Sequence, residues 1–423
     1  MWWEKIITVF KTKDLRNKIF FVVALLVVFR VMAAIPIPGV DVQQLRSFFA
    51  TNQFFGFLNL FTGGALDNLS VVMLGVGPYI VATIIMQLLT MIFPSLKALY
   101  HEEGEAGRQK FNQYSRYLTV PLAVIQAYGL LLLLQRQNVV LNLTSFNFVT
   151  NIAIITAGSV FLMWLGELIS EKGIGNGISL LIFAGIIARM PSLVGQLGAT
   201  YDPSKIPTYI VFIISAFFII AGVVLINEGE RIVPISYAKR VRGFRMYGGV
   251  STHLPLRVNQ AGVIPIIFAI SLLLFPAMIA NFLALLKVPA LANLAQSVSS
   301  FLNTQGVTYA LSYFILVVLF TYFYTAVTFD PKAISENLQK QGAFVPGIRP
   351  GQSTTEFMGR IVNRVTLIGA LSLGLVAVLP FMMRSFTGAS ALAIGGTTLL
   401  IVVSVVLETI KQVEAQLSLR EYE

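Results

Sequence analysis

The chain has 423 residues, 56% of them hydrophobic and 12% charged, with a net charge of +11. A soluble globular domain carries about 25% charged residues, so a water-soluble fold is excluded and the basic excess must be read by its placement. There is no cysteine and there are two histidines, His101 and His253, which leaves no disulfide framework and no thiolate metal site.

Long, nearly uncharged runs recur at Phe20–Ala34, Ile152–Leu165, Tyr209–Ile226, Leu311–Thr328 and Leu392–Leu407. A helix crosses a bilayer with about 20 mostly apolar residues. A membrane barrel would need alternating apolar and polar residues, which continuous runs do not supply. The first run follows Lys5, Lys11, Lys13, Arg16 and Lys18. Its length, and the poor cleavage context Ile35-Pro36-Ile37-Pro38-Gly39, predict a retained span rather than a cleaved signal.

Ten spans are predicted, at 19–37, 71–93, 117–135, 150–168, 179–197, 208–227, 260–282, 308–328, 363–382 and 390–408. The N-terminus, 94–116, 169–178, 228–259, 329–362 and the C-terminal tail hold most of the 30 Lys and Arg residues. The positive-inside rule puts these segments, and both termini, in the cytoplasm. The expected fold class is an all-α polytopic membrane protein of two five-helix halves. Residues 1–197 carry spans 1–5 and residues 198–423 carry spans 6–10; the second half enters in the opposite sense, as inverted repeats do.

Several features depart from plain spanning helices. Residues 56–69 are semi-apolar but too short to cross, and Gly63-Gly64 would fray a helix. Irregular backbone at membrane depth is tolerated where it is buried in protein or lines a cavity, so this stretch reads as a movable stopper or an ordinary re-entrant loop. Val76 and Ile80 are four residues apart, as are Ile182 and Ile186, and each pair shares a helix face. Stiff β-branched side chains facing one another could form an apolar collar that excludes water. On spacing alone, the pairs fit any spanning helix equally well.

Arg30, Gln87, Glu167, Asn259 and Gln260 are the notable polar residues in or beside spans. Glu167 is expected to pair with nearby Lys172. Gln87 is the deepest, placed to bond a neighbouring helix or to line a gate. The turn Gly173–Gly177 supplies flexible positions between two helices. Loop 228–259 interleaves Arg231, Lys239, Arg240, Arg242 and Arg245 with Tyr237, Phe244 and Tyr247. That pattern suits RNA, an acidic protein surface or anionic lipid. In the run Gly342–Gly351, Arg349 sits on a Pro/Gly-stiffened loop suited to a partner.

No Gly-x-x-x-x-Gly-Lys-Ser/Thr, His-Glu-x-x-His or Gly-x-Ser-x-Gly occurs, so the chain shows no means of using ATP and no catalytic constellation. The expectation is a non-enzyme without cofactor or metal, powered from outside. A secondary transporter of a small solute is the alternative, since broken helices suit that class too. A membrane-embedded enzyme is a weaker third reading.

A series of landmarks in chain order resembles the SecY family, the channel-forming subunits of the bacterial Sec protein translocase. They are Ile35–Gly39, Phe61–Leu66, Gly77-Pro78-Tyr79-Ile80, Phe161–Glu167, Gly173–Ser179, Tyr237–Arg240, Ser251–Leu256, Gly342–Gly351 and Gly395-Gly396-Thr397. The resemblance implies a central pore through which unfolded polypeptide crosses, or leaves sideways into lipid. It implies a plug at about 55–69, including Phe57, Leu60, Phe61, Gly63, Gly64 and Leu66. It implies a pore ring of Val76, Ile80, Ile182, Ile186, Ile267 and Ile401, with Val76 where family members often carry Ile. A lateral gate between spans two–three and seven–eight would have Gln87 and Asn259 near it. Loops 228–259 and 329–362 would dock the ATPase SecA or the ribosome through Arg240, Arg242, Arg245 and Arg349. SecE and SecG would be membrane partners, signal peptides and unfolded clients the cargo, anionic lipids the surroundings, and a bacterial cytoplasmic membrane the location.

Overall fold

Two short breaks set the character of the amino-terminal region. Helix α1 (Trp2–Lys11) stops at Thr12, which is extended, and α2 (Lys13–Ala34) restarts with Asp14 in its first turn, where a carboxylate favours the helix dipole. Helix α3 (Gly77–Ile92) starts with proline in its first turn and stops at extended Phe93, because a residue before proline is pushed out of the helical region. Helix α4 (Pro94–His101) then departs at 115°. The computed structural model describes residues 2–38, 62, 64–66, 68–136, 144–199, 203, 206–237, 240–242, 245–247, 251–283, 293, 297, 307–387 and 390–421.

The remaining helices are α5 (Gly104–Arg136), α6 (Ser145–Lys172), α7 (Gly177–Ala199), α8 (Ile206–Glu228), α9 (Ile264–Leu283), α10 (Val307–Thr328), α11 (Pro331–Lys340), α12 (Gln352–Thr387) and α13 (Ser390–Glu421). Thr144 caps α6 by accepting from the Asn147 amide, and Asp330 caps α11 by accepting from the Lys332 and Ala333 amides, which satisfies otherwise orphaned donors. Each of the ten predicted spans overlaps one of these helices over most of its length. Among the described residues, six helices are long and apolar enough to cross a membrane, and the bent α3–α4 pair makes a seventh candidate.

The boundaries differ from expectation where polar residues continue a helix. α12 begins at Gln352 and runs through 383–387, and α13 runs on to Glu421. Conversely, residues 71–76, expected to be helical, form turns before α3.

Loop 228–259 is built of strands. β1 (Glu230–Tyr237) pairs antiparallel with β4 (Ser251–Arg257), from Glu230 opposite Arg257 to Ser236 opposite Ser251. β2 (Arg240–Arg242) and β3 (Arg245–Tyr247) form a separate ribbon. β5 (Ala343–Phe344) adds to the other edge of β1, giving the order β4-β1-β5. Val233 and Leu256 of this sheet pack with Val345, Met358 and Val362 in one apolar cluster.

The chain forms two compact units. The first takes Met1–Phe212, Ile270–Ala310 and Val405–Glu423, and the second Ile213–Ala269 and Leu311–Ser404. In the first, Leu66, Leu69, Met73 and Leu74 join Ile37, four α5 residues (Ala127, Leu130, Leu131, Leu134) and Ile155 of α6 in a buried core. Backbone bonds secure the irregular stretch: Ile37 N donates to Leu69 O, Val71 N to Ile35 O and Ser70 N to Ala65 O. Elsewhere in this unit, α13 packs Val413 and Leu417 against Val9, Leu15 and Ile174. The turn expected to be flexible is tied down there, because Gly175 N donates to Gln412 Oε1 at 2.7 Å.

Candidate functional site

The six candidate ring residues lie on four helices. Val76 caps α3 and Ile80 lies in its first turn; Ile182 and Ile186 share a face of α7. These four belong to the first unit, while Ile267 of α9 and Ile401 of α13 belong to the second. All six are 5% exposed or less. The exposed face of α8 looks different: Phe217 and Leu225 are 68% and 74% exposed. The ring candidates are therefore turned away from the outer surface.

Of the plug candidates, Phe57, Leu60, Phe61 and Gly63 lie outside the described residues. Gly64 has φ +80, with the Arg189 side chain about a van der Waals contact from where a Cβ would stand, so a side chain there would be strained as well as crowded. Leu66 is fully buried in the core with α5 and α6. It sits at the anchored end of the stretch. Gly158 of α6 lets that anchor approach: a Cβ on it would collide with the Val71 carbonyl.

Of the two lateral-gate candidates, Asn259 is 5% exposed and sits in a polar cluster of the second unit. Its Nδ2 donates to Asn227 Oδ1 at 2.7 Å and to Gly262 O at 3.1 Å. Asn227 Nδ2 in turn donates to Ser404 Oγ at 3.1 Å. The Asn259 carboxamide oxygen is buried with no partner. Gln87, in the first unit, likewise has a buried, unpartnered Oε1. Asn227 and Ser404 were not among the expected site residues, since both fall near span ends where a polar residue draws no notice.

Glu167 corrects an expectation. Lys172 is five residues along α6, off the face that i+3 and i+4 neighbours share. The carboxylate instead meets Arg116 of α5, with Nε at 2.8 Å from Oε1, and the Tyr79 hydroxyl of α3 donates to the same oxygen at 3.4 Å.

The docking candidates fall on the strand-bearing loops. Arg242 and Arg245 are register partners on the β2–β3 ribbon, and Arg240 pairs with Tyr247. Arg349 is exposed on a braced loop. Its carbonyl accepts from Thr354 Oγ1 at 2.9 Å, its neighbour Ile348 packs into the apolar cluster, and the Gly351 carbonyl accepts from Ser335 Oγ at 2.8 Å. Among the described residues, no cluster of three or more His, Cys, Asp or Glu residues could hold a metal.

The SecY family model matches residues 70–410. A "Protein translocase subunit SecY" from Corynebacterium glutamicum is 42% identical over 441 residues, covering 99% of this chain and 98% of that protein. One from Thermotoga maritima is 41% identical, covering 100% and 97%. Among solved structures, "The structure of a protein conducting channel" aligns with TM-score 0.63 at 20% identity over 93% of this chain and 90% of the other. A canine Sec61 in a ribosome-channel complex aligns with TM-score 0.60 at 20% identity, over 93% and 90%. These two structures establish likeness of fold, while the sequence matches run nearly end to end; the chain is a member of the SecY family.

Proposed function

We propose that this chain is the protein-conducting channel of a Sec translocase. It moves unfolded presecretory polypeptides across the membrane and releases hydrophobic segments sideways into lipid. The observation that carries this reading is the near full-length similarity to proteins named as translocase subunits. The burial of all six ring candidates supports it. Stiff aliphatic side chains exclude ions by dewetting, yet offer no fixed partner to a passing chain. A hydrophobic signal segment leaving the pore gains about 25 cal/mol per Å² of apolar surface removed from water.

In this reading the plug spans about 55–69, with Leu66 at its fixed end. Gln87 and Asn259 lie at the lateral gate. Arg240, Arg242, Arg245 and Arg349 dock SecA or the ribosome, and SecE and SecG complete the complex. The halves 1–197 and 198–423 flank the pore, both termini are cytoplasmic, and the membrane is a bacterial inner membrane. The chain itself does no chemistry; opening is a population shift toward a form that signal peptide and motor bind better.

Vesicles containing the chain with SecE and SecG, given SecA and ATP, test the reading. A presecretory polypeptide should become protease-protected inside. Uptake of a labelled small solute without those partners, and no polypeptide uptake with them, would overturn it in favour of a secondary transporter.

A further inference from the structure

The first turn of α3 carries Val76 and Ile80 but has no side-chain cap, and the space around Gly77 is open. Among the described residues, one side-chain hydrogen bond ties that turn to another helix, from the Tyr79 hydroxyl to Glu167 Oε1. Arg116 Nε reaches the same oxygen. Three helices of the first unit thus meet on one carboxylate oxygen. The Glu167 side chain is 18% exposed, against 46% for Arg116, so the acid is the more sheltered partner. An ionisable group in a membrane segment usually faces protein or water and finds a partner, as Glu167 does here.

Tyr79 directly precedes Ile80 and follows Val76 by three residues. At 3.6 residues per turn, fixing the direction of Tyr79 about the α3 axis also fixes that of Ile80. If the hydroxyl is released, the uncapped turn can rotate, and both seal residues rotate with it.

We propose that Glu167 is a positioning residue for the seal: through Tyr79 and Arg116 it holds the first turn of α3 where Val76 and Ile80 close the resting channel to ions. This rests on the channel reading and adds a polar brace behind the apolar ring.

The test uses the whole complex in vesicles, with two readouts: ion leak at rest and motor-driven translocation. Glu167→Gln removes the charge, and Tyr79→Phe keeps the ring but deletes the hydroxyl. Both should leak several-fold faster than the parent while still translocating a presecretory polypeptide. Both variants should unfold in detergent close to the parent's temperature, which a merely structural role would not predict. Glu171→Gln, exposed on the next turn of α6, should stay tight. If either Glu167→Gln or Tyr79→Phe is as tight as the parent, or if the leak appears only together with a clearly lowered unfolding temperature, the positioning role is overturned. A parent complex that carries no polypeptide would refute the channel reading itself, a separate and recognisable failure.

Discussion

Tyr237 stands opposite Ala343 across an antiparallel ladder, joining two loops more than a hundred residues apart in sequence. The loops that carry Arg231 and Arg349 therefore form one platform over a shared apolar cluster. A partner that grips it would pull on both loops together, and a charge change on it should alter docking without disturbing the spans.

Arg349→Glu reverses an exposed charge beside a backbone held by Thr354. Expression and membrane insertion should be nearly unchanged, while affinity for SecA falls about tenfold, equivalent to about 1.4 kcal/mol. Binding titrations alongside translocation rates check this; an unchanged affinity removes Arg349 from the docking surface.

Replacing Ile80 and Ile186 with Gly or Ser removes stiff aliphatic bulk from buried positions. Resting vesicles should then leak ions measurably faster, because a wider or wetter constriction no longer excludes water. Vesicles as tight as the parent's would show that the seal lies elsewhere.

Gly158→Ala places a methyl group against the Val71 carbonyl, whereas Gly129→Ala meets open space. The first should lower thermal stability by about 1–3 kcal/mol through overpacking and loosen the anchored stretch around Leu69. The second should be neutral or stabilising by up to about 1 kcal/mol, from helix propensity alone. Thermal unfolding in detergent compares them, and equal effects would contradict the close approach of α6 to Val71.

Asn227→Ala deletes the link between Asn259 and Ser404. Polar contacts of this kind between membrane helices average about 0.6 kcal/mol, with a maximum near 1.7, and the cost here should lie toward the upper end because Asn259 is buried. A double-mutant cycle with Asn259→Ala should show coupling. Strict additivity would mean that the two side chains act independently.

The spans were legible because apolar length is a local property. The sheet was not, because pairing Tyr237 with Ala343 depends on contacts far apart in sequence. The helical start at Gln352 was hidden by Glu356 and Arg360, which lower hydropathy without disfavouring helix. The ring candidates were suggested only by family likeness, since paired isoleucines occur on ordinary spanning helices. Polar residues in or beside spans were a better guide: Glu167 and Asn259 both proved to be hubs. Their partners, Arg116 and Asn227, were obscured by their position near span ends, and the choice of Lys172 failed because it leaned on sequence proximity instead of the helix face.

The most direct measurement places a photocrosslinker at position 80, 186, 267 or 401 and arrests a presecretory polypeptide partway across. Adducts with that polypeptide should form at all four positions, and none with the crosslinker at Phe217 or Leu225 on the exposed face of α8. Crosslinks to lipid at the four positions, with the polypeptide captured at Phe217 or Leu225 or nowhere, would contradict the channel reading.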